Sequence, residues 1–206
     1  ICYSHIDERS SAFFGLGIAK STKRPVVLIS TSGTAPANFY PAVIEASLSR
    51  IPLIIISADR PGFLVGTGSN QTINQQLLYG NYVRYFTDMG LPINKFYLLQ
   101  NKLDKAVINA NGSKFVVPPG PVHLNFPFDE PLMPDNVKGL NSPLLTVHDH
   151  LIPEFNSQIP KLTESKHPLI IVGPMEGNTH QEEIIELGKK INAPILADPI
   201  SQLRYG

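Results

Sequence analysis

The feature that most constrains this chain is a pair of unbroken apolar runs, each opened by proline and closed by serine. They are Pro25-Val26-Val27-Leu28-Ile29-Ser30 and Pro52-Leu53-Ile54-Ile55-Ile56-Ser57. A strand wetted on one face alternates apolar and polar residues. A run that is apolar throughout belongs to a strand covered on both faces, as in a parallel sheet between helical layers. The flanking segments supply the helices. Asp7 is placed to cap a helix that begins at Glu8, with Ala12, Phe13, Leu16, Gly17 and Ala19 as its apolar stripe. A second helix is expected from the turn Thr31-Ser32-Gly33-Thr34 to about Arg50. Further strands are expected at residues 2–6, 83–89 and 122–126, with a short helix at 75–79 and a longer one at 95–110. The predicted fold is therefore α/β: a three-layer parallel sheet with helices on both faces and right-handed crossovers.

Between the second apolar run and residue 75 lies a long segment, 61–74, with Gly62, Gly66 and Gly68 and few apolar residues. Long ordered loops in compact domains are often functional. From Phe128 onward the composition turns to Pro, Asn, Asp and Ser without a sustained period. Order resumes at residues 169–173, followed by a helix at 181–191 and a strand at 194–198. The expected organisation is a first domain at 1–131, an interdomain linker at 132–166, and the start of a second, Rossmann-like α/β domain at 167–206.

Charge and composition exclude several functions. Lys plus Arg and Asp plus Glu each number 17, leaving no basic excess for a dedicated nucleic-acid binder. No apolar run approaches the roughly 20 residues of a membrane span. The single cysteine, Cys2, rules out an internal disulfide and suits a reducing compartment, with the cytoplasm the expected location. There is no Gly-rich dinucleotide fingerprint, no Walker-type loop and no Gly-x-Ser-x-Gly elbow. Gly173 and Gly177 after a strand are weak support for a nucleotide. His148 and His150 flank Asp149 but lack a third ligand, so no metal site is predicted.

Ligands of open α/β sheets collect at the carboxyl ends of the strands. Glu8 opens a helix at one such place, where a carboxylate complements the helix dipole or serves a ligand. His5 stands close to it, either packed or poised for acid–base work. Arg60 follows Asp59 at another strand end. It either pairs with Asp59 at the surface or clamps a carboxylate, which a guanidinium matches bidentately. Asn70 and Gln71 bring amide donors and acceptors in the Gly-rich loop, for the loop itself or for a ligand.

Taken together these segments are specific. Asp7-Glu8-Arg9-Ser10 with Phe14-Gly15-Leu16-Gly17-Ile18-Ala19-Lys20 resembles the pyrimidine-binding domain of the thiamine-diphosphate enzymes. Thr31-Ser32-Gly33-Thr34-Ala35-Pro36-Ala37-Asn38, Tyr40-Pro41-Ala42-Val43-Ile44-Glu45-Ala46, Ala58-Asp59-Arg60-Pro61 and Gly68-Ser69-Asn70-Gln71-Thr72-Ile73 are similar to its menaquinone-pathway branch. That resemblance implies a transferase that decarboxylates 2-oxoglutarate on thiamine diphosphate and adds the product carbanion to isochorismate. It makes Glu8 the catalytic, cofactor-binding carboxyl that shares a proton with the pyrimidine ring nitrogen, and Arg60, Asn70 and Gln71 the substrate-binding residues. It also implies Mg²⁺ and the diphosphate held by a domain with a Gly-Asp-Gly and Asn signature, which this sequence lacks. The first strand and helix of the pyrimidine domain are likewise expected to be missing. The full-length enzyme is then a homodimer or homotetramer, and this chain alone is expected not to turn over. Two alternatives stay open: an acetolactate-synthase-like enzyme or other 2-oxoacid decarboxylase sharing Glu8, and a non-catalytic nucleotide-binding module.

Overall fold

The computed structural model describes residues 1–92, 96–112, 117–133, 166–175 and 180–203. The chain divides into two compact units, Ile1–Ile152 and Pro153–Gly206. In the first, α1 (Glu8–Thr22), β1 (Val26–Ser30), α2 (Thr34–Ala37), α3 (Tyr40–Leu48), β2 (Leu53–Asp59), β3 (Tyr85–Asp88), α4 (Phe96–Asn111) and β4 (Val122–Pro127) follow in chain order. The four strands form one parallel sheet in the order β1-β2-β4-β3. The expected layering is present, because α1 and α3 pack on one face of the sheet and α4 on the other.

Side-chain alternation along β2 explains the two layers. Leu53 and Ile55 point into a core with Leu28, Phe39, Ala42, Val43 and Leu16, while Ile54 joins Val122, Leu124, Ala106 and Ala110 under α4. Burying each large aliphatic or aromatic side chain stabilises the fold by about 1.5–3 kcal/mol. Helix α1 approaches β1 closely because its inner face is small: Ala12, Gly15 and Ala19 are buried with Leu16. A Cβ at Gly15 would lie 2.7 Å from Leu28 Cδ2.

The structure corrects several expectations. Phe13 and Gly17, placed on the apolar stripe of α1, are exposed. Residues 2–6 do not form a strand; no strand among the described residues offers them a ladder, and they are exposed. Strand β1 is covered on one face only. Leu28 is buried, yet Val27 and Ile29 are 48% and 74% exposed, because β1 lies at the sheet edge and α4 packs on β2, β3 and β4. The helix expected from residue 34 to 50 is two helices. Pro41 has no N–H to continue the ladder from α2, and the chain restarts at Tyr40 with Pro41 in its first turn. Residues 76–79 form turns that lead into a 3₁₀ turn at Gly80–Tyr82, in place of the short helix.

In the second unit, β5 (Ile170–Val172), α5 (Gln181–Lys190) and β6 (Ile195–Ala197) form the expected βαβ unit, with β5 and β6 paired in parallel. Residues 134–165 of the expected linker, with His148, Asp149 and His150, lie outside the described residues, as does Gly177. No helix among the described residues is long and apolar enough to cross a membrane.

Candidate functional site at the strand ends

The carboxyl ends of β1, β2, β3 and β4 are joined by a buried polar network. The β1 end turns sharply at Gly33, whose φ of +77° favours glycine. A Cβ there would meet Gln71 Cγ at 2.9 Å and the Gln71 carbonyl oxygen at 3.0 Å. Gln71 is laid back on this turn. Its Nε2 donates to the Ser32 carbonyl at 3.1 Å and to Thr31 Oγ1 at 3.2 Å, and its own carbonyl accepts from Ser32 Oγ at 3.1 Å. The Gly33 N–H donates to Gln75 Oε1 at 2.8 Å.

Gln75 carries the connection across the sheet. Its Nε2 donates to the Ala58 carbonyl at 3.0 Å and to Asn125 Oδ1 at 2.8 Å. Asn125 is fully buried, and its side chain makes four hydrogen bonds, the full complement of an amide. Oδ1 also accepts from Ser57 Oγ at 2.8 Å, while Nδ2 donates to Asp59 Oδ2 at 2.8 Å and Asp88 Oδ2 at 3.2 Å. The same Asp88 oxygen accepts from Gln76 Nε2 at 2.5 Å. Because the Ser57 proton goes to Asn125, the hydroxyl oxygen accepts from His123 Nε2 at 2.7 Å. That tautomer leaves His123 Nδ1 as a buried lone pair with no partner among the described residues. Burial pushes the imidazole down to about 4, partly opposed by the Asp88 carboxylate.

Asp59 settles one alternative for Arg60. Its carboxylate is buried, with Oδ2 on Asn125 and Oδ1 accepting the Arg60 backbone N–H at 2.7 Å. The Asp59–Arg60 surface ion pair does not form. The half-buried Arg60 guanidinium has no hydrogen-bond or ion-pair partner among the described residues. Asn70 is exposed, and its carbonyl accepts from Thr72 Oγ1 at 3.0 Å.

Asp7 caps α1 as expected, accepting the Ser10 N–H at 2.7 Å. Hydrogen bonding from the Ser10 side chain, and then from its backbone N–H, holds the Asp7 carboxyl below the usual carboxylate range. The cap is thus already supplied, and Glu8, the first residue of α1, is left for another use. Glu8 is half-buried; Oε2 accepts from Asn38 Nδ2 at 3.2 Å, and Oε1 has no partner among the described residues. A carboxyl with one oxygen held and one open suits a single nitrogen of a heterocycle. The described residues contain no group of three or more His, Cys, Asp and Glu able to hold a metal ion. His5 packs its ring on Phe14 at 4.8 Å, with no hydrogen bond to Glu8 among the described residues.

The structure therefore joins Gln71 to the β1 turn and, through Gln75 and Asn125, to Asp59 and the Arg60 backbone. No hydrogen bond among the described residues links Glu8 to Arg60, Asn70 or Gln71. The network of Ser57, Gln75, Asp88, His123 and Asn125 escapes the sequence reading. Its one visible signal is His123 and Asn125 at alternate positions of an otherwise apolar strand, a polar face where burial would favour a greasy one.

Residues 2–78 match the family model described as thiamine pyrophosphate enzyme, N-terminal TPP binding domain. The chain is also similar to proteins named 2-succinyl-5-enolpyruvyl-6-hydroxy-3-cyclohexene-1-carboxylate synthase. That of Listeria welshimeri is 43% identical over 99% of this chain and 37% of its own length. Those of Bacillus pumilus and Halobacterium salinarum are 41% and 40% identical, over 98% and 99% of this chain and 36% and 39% of their own. The chain thus spans little more than a third of these curated relatives. The match thus identifies residues 2–78 of this chain, which include α1 and the first two strands of the parallel sheet, as an N-terminal TPP binding domain of the thiamine pyrophosphate enzymes.

Proposed function

We propose that this chain is the pyrimidine-binding part of a thiamine-diphosphate-dependent synthase that joins the succinyl unit of 2-oxoglutarate to isochorismate in menaquinone biosynthesis. The observation that carries the reading is the Glu8 carboxyl, held by Asn38 on one oxygen and open on the other. Similarity over nearly the whole chain to synthases of that name supports the choice of substrates.

Thiamine diphosphate, when bound, supplies the nucleophilic carbon and the electron sink for decarboxylation. Glu8 holds a proton at the pyrimidine ring nitrogen, and Asn38 keeps the carboxyl aimed. Arg60, with a guanidinium uncommitted among the described residues, takes a substrate carboxylate in the two-pronged geometry that planar fork allows. Asn70 adds an amide contact beside it, and Gln71, whose Nε2 is turned to Ser32 and Thr31, offers its Oε1 to a substrate donor. Mg²⁺ and the diphosphate are held by residues outside this chain, contributed by a second subunit of a homodimer or homotetramer.

The test is an assay of the full-length protein with thiamine diphosphate and Mg²⁺. The reading predicts product from 2-oxoglutarate plus isochorismate and little from pyruvate alone. Efficient pyruvate condensation with no use of isochorismate overturns it in favour of an acetolactate-type enzyme.

A further inference from the structure

Asn125 stands at the crossing of two chains of contacts that end on different sides of the strand-end site. One runs from Nδ2 to Asp59 Oδ2, and from Asp59 Oδ1 to the Arg60 N–H. The other runs from Oδ1 to Gln75 Nε2, and from Gln75 Oε1 to the Gly33 N–H, against which Gln71 is packed. Ser57 and Asp88 complete its four bonds from β2 and β3. We infer that Asn125 is a positioning residue, which sets the backbone at Arg60 and the turn under Gln71 relative to each other and so fixes the spacing of the substrate contacts. The inference rests on the proposed function for its substrates but not for its geometry.

The chemistry of the site explains why an amide stands there. Asp59 is buried, Asp88 half-buried, and each points an oxygen at the same nitrogen. Two acceptors converging at one point need a group with two donors. Two further atoms, Ser57 Oγ and Gln75 Nε2, donate to the opposite side and need an acceptor. A primary amide meets both demands in one plane. Carboxylate, hydroxyl and hydrocarbon each fail one of them, and a failure in a buried site leaves a polar group unpaired.

The experiment compares the full-length protein with its Asn125→Asp variant, which keeps volume and acceptor but replaces the donor with a third carboxyl oxygen. Two readouts are taken. Amide hydrogen exchange is expected to rise in both strand-end peptides, residues 30–34 and 58–75, while α1 and α3 keep their protection. The KM for at least one of the two carboxylate substrates is expected to rise by about tenfold or more, with kcat changed by less than about threefold. The KM defect is expected to shrink as pH falls, because a protonated carboxyl regains one donor. The groups that face it are Asp59 from β2, Asp88 from β3 and His123 from β4, with Lys102 Nζ of α4 on the Asp88 carbonyl at 2.7 Å.

A purely structural residue lowers stability and the active fraction without moving KM, and its defect is not relieved by acid. Unchanged exchange at either strand-end peptide overturns the inference, whatever the substrates prove to be. Raised exchange with unchanged KM overturns it as well. If the wild-type protein does not use these substrates, the proposed function fails and exchange alone decides the present inference. Should Asn125→Asp not fold, Gln75→Leu cuts the arm to Gly33 together with the bond to the Ala58 carbonyl, and leaves the bonds from Asn125 to Asp59 and from Asp59 to the Arg60 N–H in place. It is expected to loosen residues 30–34 and leave the Arg60 amide protected; equal loosening of both overturns the coupling.

Discussion

Asn38 Nδ2 donates to Glu8 Oε2 at 3.2 Å, joining the residue that ends α2 to the residue that opens α1, 30 positions apart in sequence. Asn38 thereby restrains the carboxyl on which the cofactor reading depends. Replacing it with alanine removes one hydrogen bond from an exposed pair, so the thermal midpoint is expected to change little. Turnover of the full-length enzyme is expected to fall by roughly three- to tenfold, since one hydrogen bond is worth about 0.5–1.5 kcal/mol. Steady-state kinetics beside thermal melts check both expectations; a large stability loss with unchanged kcat assigns Asn38 to the fold alone.

Gly33 is the residue least open to change at the β1 turn. Its φ of +77° and the 2.9 Å approach a Cβ would make to Gln71 Cγ oppose any side chain. Gly33→Ala is expected to cost about 1–3 kcal/mol in denaturant unfolding. The displaced Gln71 is expected to raise substrate KM more than it lowers kcat. A variant as stable as the parent contradicts the geometry described.

His123 makes the fold sensitive to acid. In the unfolded chain an imidazole takes up its proton near pH 6.5, whereas burial holds this one down to about 4 in the native state. As pH falls through that window the unfolded chain gains a proton that the native chain does not, so stability is lost from about pH 6.5 downward. The loss levels off below about 4, after roughly 3 kcal/mol. Denaturant titrations at closely spaced pH values measure it. His123→Gln is expected to flatten this part of the profile, and a parent profile that is flat between pH 6.5 and 4 contradicts the account.

What could be read from the sequence follows the range of the forces involved. Strand β2 announces itself because burial on both faces demands apolar residues in succession; β1, β5 and β6 show the same apolar runs although Val27, Ile29, Ile171 and Leu196 are exposed, and α5 is legible because its period is local. The expected strand at residues 2–6 has the right residues but lacks a partner, and pairing is a property of two segments. The break between α2 and α3 was legible in Pro41, whose missing N–H outweighs the surrounding helical pattern. Glu8 and Arg60 were nameable because a motif carries them. Gln75 and Asn125 were not, since their bond spans 50 positions and depends on how the segment after β2 returns to the interior strand β4. Asp59 illustrates the same limit: adjacency suggested an ion pair with Arg60, and the fold instead turned its carboxylate inward.

The division of labour between Asp7 and Glu8 gives the most direct test of the central claim. Asp7 caps α1, so Asp7→Ala in the full-length enzyme is expected to lower the thermal midpoint while kcat stays within roughly twofold. Glu8→Gln keeps shape and a hydrogen-bonding side chain but removes the acid proposed to share a proton with the cofactor ring. A fall in kcat of about a thousandfold or more is expected for Glu8→Gln, with the thermal midpoint nearly unchanged. A kcat for Glu8→Gln within about tenfold of the parent contradicts the claim and returns Glu8 to the role of an ordinary first-turn acid.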